Sequence, residues 1–337
     1  RDAQESRGLG DVYKRQVSVT GPIGKTVVCE YGVIENTGGK TEEKTAVIEI
    51  AKAAGLTLLS EEERNPLYTT TYGVGEVIKD AVRNGCRKFI VGIGGSATND
   101  GGAGMLQALG FGLLKENGEQ IPIGARGLEE LAEITDDNVI PELAECKFKI
   151  ACDVTNVLCG ETGASAVYGP QKGADEEMTE RLDRLLFSYA SLVKKKIPKA
   201  DSMYPGTGAA GGLGFAFLTF MDAQLESGIQ IVIKETGLEQ EIAKADLVIT
   251  GEGRMDGQTA MGKAPIGIAK IAKKYGKPVI AFAGAAARDA GACNEQGIDA
   301  FFPILREAVS LEAAMKRENA EANMEAAVEQ AYRLCRL

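Results

Sequence analysis

Residues Asp246 to Ala283 read DLVITGEGRMDGQTAMGKAPIGIAKIAKKYGKPVIAFA. Asp246–Thr250 is a short apolar run, a loop rich in glycine and charge follows, Ala264–Tyr275 repeats its apolar residues at helical spacing, and Pro278–Ala283 is a second apolar run. A strand, a helix and a strand joined by short loops build a parallel pair. The alternation extends in both directions. Gln230–Lys234 reads as a strand and Leu238–Lys244 as a helix before it; Ala300–Ile304 reads as a strand and Leu311 to the end as a helix after it. The expected fold class is therefore α/β, with a doubly wound parallel sheet in the last third.

The preceding part is less regular and is expected to form a separate mixed α/β domain. Val27–Ile34 and Thr45–Ile50 read as strands joined by a turn around Asn36–Lys40, and Tyr72–Asn84 as an amphipathic helix ending at Gly85. Lys88–Ile93 is a strand, Ala103–Leu109 a helix, Gly110–Ile121 a hairpin turning at Asn117–Gly118, Lys147–Cys152 a strand and Met178–Lys196 a helix. Arg1–Gln16 is polar, mixed in charge and without period, so 1–16 is set apart as an extension, disordered or foreign to the fold. The expected domains are 17–235 and 236–337.

Composition narrows the chemistry. The 337 residues carry 38 Lys+Arg, 48 Asp+Glu and no His, for a net charge of −10. An acidic chain repels phosphate backbones and anionic lipid, so neither nucleic acid nor membrane is an expected partner. Without His there is no Ser-His-Asp triad and no His-ligated zinc, and proton transfer near neutrality falls to carboxylates, Lys, Tyr, Cys or water. The seven cysteines include no C-x-x-C pair, which fits reduced thiols in a cytoplasmic protein. The longest uncharged stretch, Ser202–Met221, is interrupted by Pro205 and five glycines and does not read as a membrane span.

Four glycine-rich loops hold the candidate chemistry. The first follows the strand ending near Gly92: Gly94, Gly95 and Gly101 admit an anion close to backbone amides, Ser96, Thr98 and Asn99 add donors, and Asp100 caps the next helix or holds a metal. The second runs from Asp153 past Asn156 to Gln171 and Lys172, where a lysine between glycines suits a phosphate or carboxylate. In the third, Gly211 and Gly212 either allow close packing or form another anion cradle. The fourth contains Gly251, Glu252, Gly253, Arg254, Asp256, Gln258, Thr259 and Lys263. Its cations and Thr259 can meet anionic oxygens, while Glu252 and Asp256 can hold Mg²⁺ or accept a proton. Such loops suit phosphoryl transfer, which needs positioning and charge compensation more than a histidine. A dehydrogenase acting on a small hydroxy acid and a non-catalytic binding module are the alternatives.

VGIGGSATNDGGAGMLQALG (91–110), ACDVTNVLCGETGASAVYGPQKGA (151–174), GAAGGLG (208–214) and ADLVITGEGRMDGQTAMGKAPIGIAK (245–270) closely resemble the bacterial type I glycerate kinases. The resemblance implies a flavodoxin-like domain, of which 236–337 is the C-terminal part, with a larger mixed domain inserted. It implies D-glycerate as substrate, ATP and Mg²⁺ as cofactors, and 2- or 3-phosphoglycerate as product; a homodimer is compatible with it. Loop 92–104 would meet phosphate or substrate, and 251–259 would line an interdomain cleft. In this scheme the amides of 94–101 and Lys172 hold one anionic group. Arg254 and Lys263 neutralise the transferring phosphoryl, and Asp256, Glu252 or Asp153 binds Mg²⁺ or takes the hydroxyl proton. The family's opening Asp-Ser-Phe-Lys-Gly and Ala-Asp-Gly-Gly-Glu-Gly-Thr segments are not found here, so the resemblance is expected to begin at Val17 and the chain to lack half of one domain and its activity.

Overall fold

The computed structural model describes residues 12–36 and 43–335. The chain forms two compact units, 1–227 and 228–337.

In the first unit, β1 (Val12–Thr20), β2 (Thr26–Asn36), β3 (Glu43–Glu49) and β4 (Cys86–Gly92) precede a small ladder of β5 (Gly112–Leu114) with β6 (Glu133–Thr135), followed by β7 (Lys147–Ala151) and β8 (Ala223–Glu226). One six-stranded sheet takes the order β1-β2-β3-β4-β7-β8. β1, β2 and β3 pair antiparallel; β3, β4, β7 and β8 run parallel. The parallel half therefore places the carboxyl ends of four strands at one edge, the position where α/β sheets hold ligands. Phe89 and Phe148 lie opposite each other on β4 and β7 and stack at 4.6 Å; Phe217 of helix Ala209–Phe220 closes on Phe148 at 5.8 Å. Helix Tyr72–Arg83 buries Val74, Val77, Ile78 and Ala81, the three-four spacing that makes one apolar face.

In the second unit, β9 (Val248–Met255), β10 (Val279–Ala286) and β11 (Ala300–Pro303) form a parallel sheet in the order β11-β10-β9, with helix Ala264–Lys274 between the first two strands in sequence. The α/β class and the parallel sheets are as expected. The order runs one way, so the reversal that defines a doubly wound sheet is not present among the described strands.

Several elements differ from the sequence reading. Val12–Gln16, set aside with the extension, is the first half of β1 and pairs with Glu30–Ile34. Its exposed and half-buried positions alternate, and that alternation is too weak in hydropathy to mark a strand without its partner. Gln230–Lys234 lies in a helix, Gly228–Thr236, despite its three consecutive β-branched residues, Ile231–Ile233. Tertiary packing overrides propensity here: Ile229 seats against Gly267, where a Cβ would come within 2.8 Å of its side chain. That helix falls in the second unit, moving the boundary from 235 to 227. The Gly110–Ile121 hairpin reduces to a turn with one bridge, Leu114 to Gln120, and β5 takes β6 as its ladder partner. The Asn36–Lys40 turn lies outside the described residues beyond Asn36. Finally, β9 continues to Met255, so Glu252 and Arg254 stand on a strand opposite Ala283 and Ala285 where a loop was expected.

Candidate active site

At the carboxyl ends of β4 and β7 lies a cleft of about 270 Å³, lined by Ile93–Ser96, Ala151–Val154, Tyr168, Gln171, Lys172, Ala209 and Ala210. Three of the four predicted loops meet there, so Gly94, Gly95, Ser96, Asp153, Gln171 and Lys172 are brought together from positions far apart in sequence. The loop after β4 is strapped to the turn after β3: Leu56 N donates to Gly95 O at 2.9 Å and Ala97 N to Ala54 O at 2.8 Å. Gly94 and Gly95 are exposed, and no described residue accepts from the Gly94, Gly95 or Ser96 amides. The Ala97 and Gly101 amides, expected to cradle an anion, are committed to Ala54 O and Gly211 O.

Lys172 is the cleft's unusual group. It is only 2% exposed, and its Nζ donates to Ser96 Oγ at 3.1 Å and to Thr98 O at 2.6 Å. Both acceptors are neutral, so the ammonium is buried without a bonded counter-ion. Burial brings its pKa down to about 7, with Asp100 pulling weakly the other way.

Behind the cleft, Asp100 is fully buried and serves as a cap. Its carboxylate accepts from Thr71 N and Oγ1, both at 2.8 Å, and from the Gly102 and Gly104 amides at 3.2 Å. Burial pushes its carboxyl pKa up, against the pull of those donors. Asn99 Nδ2 donates to Ser165 Oγ at 2.9 Å, while Thr98 Oγ1 and Asn99 Oδ1 are buried without a partner. Thr98, Asn99 and Asp100, predicted as ligand contacts, are buried and do not line this cleft. Asn156 accepts from Tyr168 Oη at 2.6 Å and donates to Thr162 O at 2.9 Å. Gly211 and Gly212 pack closely on the Thr98–Gly101 backbone, the first of the two readings their sequence allows. A Cβ on Gly211 would stand 2.0 Å from Thr98 O, and one on Gly212 would stand 2.8 Å from Gly101 Cα.

In the second unit, the predicted loop residues gather around Asp256, which caps helix Gly257–Ala260 by accepting from the Gln258 and Thr259 amides at 3.0 and 3.2 Å. Thr259 is buried; its Oγ1 donates to Glu252 Oε1 and accepts from Asp256 N at 3.1 Å. Arg254 Nε and Lys263 Nζ each stand 4.0 Å from an Asp256 oxygen. Partial burial raises the Asp256 pKa, but the Thr259 and Gln258 hydrogen bonds and the Lys263 charge outweigh it and hold it below its usual value. Gly251 brings β9 against β10, where a Cβ would meet Phe282 O at 2.3 Å, whereas a Cβ on Gly253 would meet open space. Among the described residues no three His, Cys, Asp or Glu side chains group as a metal site.

The family model for "Glycerate kinase family" matches residues 7–336. The chain belongs to the glycerate kinase family. Among relatives, a glycerate kinase of Halalkalibacterium halodurans is 48% identical over 304 residues, 90% of this chain and 78% of the relative. A glycerate 2-kinase of Escherichia coli K12 is 47% identical over 303 residues, again 90% and 78%. The crystal structure of a putative glycerate kinase 2 from Salmonella typhimurium LT2 superposes with a TM-score of 0.82 at 45% identity, covering 96% of this chain and 83% of that one. The family match begins at residue 7, inside the segment expected to be foreign, so the break expected at Val17 is not supported.

For a glycerate kinase, the sequence reading missed Cys152, Tyr168 and Ala210 as cleft-lining residues. Only their nearness to Asp153, Lys172 and Gly211 signalled them. Gly211→Ala tests whether this chain's Gly211–Gly212 pair is structural. The left-handed φ of 69° and the contact with Thr98 O together predict a loss of about 3 kcal/mol or more in urea unfolding. A loss under about 1 kcal/mol would show that the neighbouring backbone yields freely.

Proposed function

We propose that this phosphotransferase moves the γ-phosphoryl of ATP onto a hydroxyl of D-glycerate, giving ADP and 2-phosphoglycerate. The name of the Escherichia coli relative, glycerate 2-kinase, supports the 2-hydroxyl over the 3-hydroxyl. The observation that carries the substrate reading is Lys172, a buried amine held by two neutral acceptors at the wall of a small cleft, with no counter-ion for its charged form. A small carboxylate is the partner such a charge lacks, and the amides of Gly94–Ser96 add donors for it.

Phosphoryl transfer also needs charge compensation at the nucleotide. The second unit's Arg254 and Lys263 are suited to phosphate oxygens, and their exposure leaves them accessible. Mg²⁺ is commonly held by one or two carboxylates together with phosphate oxygens, so the Glu252 and Asp256 pair fits an ion arriving with nucleotide. Bound there, the ion would offset phosphate charge. Among the described residues six cysteines are free, which fits a reducing compartment, and we place the chain in the cytoplasm. No described helix is long and apolar enough to cross a membrane.

A coupled assay for ADP release with D-glycerate and MgATP tests the reading; ADP and phosphoglycerate should form in equal amounts. Glycerate binding without ADP release would leave a binding module. Asp256→Asn separates charge from fold. Asn caps a helix about as well as Asp, so unfolding should change by less than about 1 kcal/mol. Turnover should fall by about two orders of magnitude or more if the carboxylate holds the cation or the proton. Unchanged turnover removes Asp256 from the chemistry.

A further inference from the structure

A buried amine with two fixed hydrogen bonds has one position left, and the occupant of that position depends on charge. Neutral, Lys172 would spend both N–H bonds on Ser96 Oγ and Thr98 O and keep a lone pair; charged, it gains a third N–H. The surrounding ionisable groups supply Nζ with no bonded counter-charge. Asp100 is the acid that stabilises the ammonium, but its oxygens are occupied by Thr71, Gly102 and Gly104. Tyr189, from helix Glu176–Lys196, packs its ring on Gly101 and feels Asp100; Arg64 meets Gly173 through its backbone. Asp153, Cys152 and Tyr168 line the same cleft. An anion seated against Nζ supplies the counter-charge that these groups leave incomplete.

We propose that seating an anionic oxygen ligand in this cleft draws one proton from solvent onto Lys172 Nζ, so that substrate capture is linked to proton uptake. The proton bonds to the amine lone pair, and the new N–H donates to the ligand. The inference rests on the cleft being the anion seat described above, and it assigns that seat a charge that occupancy switches on. With the free amine titrating at about 7, uptake should be about 0.9 proton per ligand at pH 8 and about 0.1 at pH 6. Affinity for the acid should weaken by about tenfold per pH unit well above neutrality, where the proton must be recruited from a scarcer pool.

The test is calorimetric titration of the full chain with D-glycerate, at pH 6 and pH 8, in buffers of different ionisation enthalpy. The slope of observed heat against buffer heat counts protons. Sulfate, which does not titrate in this range, replaces glycerate in a second arm as a phosphate mimic. Uptake near 0.9 at pH 8 that disappears in Lys172→Met supports the proposal. Lys172→Arg, which keeps its charge throughout, should bind without uptake, and that result marks titration as distinct from mere packing. Binding without uptake in the parent chain, or equal uptake in Lys172→Met, overturns the proposal, as does no binding of either ligand. Uptake with sulfate but no binding of glycerate would keep the proton linkage and sink the glycerate reading alone.

Discussion

Lys172→Met is expected to lower kcat/KM for D-glycerate by about 10² to 10³ while leaving the fold as stable as before or more so. The two effects separate because they have different origins. Truncating one member of a buried charge pair costs about 2–5 kcal/mol, and in the function proposed above the other member is the substrate's carboxylate. Among the described residues, Lys172 Nζ has only Ser96 Oγ and Thr98 O as partners, and Met fills the stem's volume with no charged form to desolvate. The pH dependence follows from the direction of the shift. Burial lowers the folded-state pKa from 10.5 to about 7, so between those values the unfolded chain binds more protons. This group's contribution to stability therefore rises with pH across that window and reaches its full value above about 10.5. Lys172→Met should flatten that part of the curve. A large loss of stability with kcat/KM intact would reduce Lys172 to a packing residue.

Asp100→Ala should have the largest effect on folding, about 4 kcal/mol or more in denaturant unfolding. Four buried donors lose their acceptor at once: Thr71 N, Thr71 Oγ1, Gly102 N and Gly104 N. Each unsatisfied group costs about 1–3 kcal/mol, reduced by relaxation and entering water. Asp100→Asn keeps one carbonyl oxygen as an acceptor and should fall between parent and Ala. The comparison with Asp256→Ala is informative, since that residue also caps a helix but is partly exposed, and its loss should cost about 1 kcal/mol. Equal, small losses at both sites would mean that water reaches the Asp100 pocket readily.

Much of the site could be read from residue chemistry alone, and what could not was contact. The loop Gly94–Asp100 and Lys172 both announce themselves through small residues, donors and an isolated cation. Nothing in the sequence brings Lys172 Nζ across 76 positions to Ser96 Oγ, or decides that Asp100 turns inward to Thr71. The same ambiguity governs Gly211, where an anion cradle and a tight backbone crossing demand the same residue. In the fold, the helices at Tyr72 and Glu176 are legible because their apolar faces repeat over many residues. Gln230–Lys234 is not, because so short a β-branched run fits a strand equally well until Gly267 offers Ile229 a seat. The strand character of Glu252 and Arg254 was hidden by glycines that read as a loop, and it appears only in the pairing with β10.

Ala210 holds φ at +53°, the one left-handed non-glycine among the described residues, and it borders the cleft. A methyl group there costs about 1 kcal/mol relative to glycine, so Ala210→Gly should raise the melting temperature by relieving that strain. A chain with glycine at the next two positions has not extended the run by one more. The retained methyl narrows the backbone freedom of that wall below what a third glycine would allow.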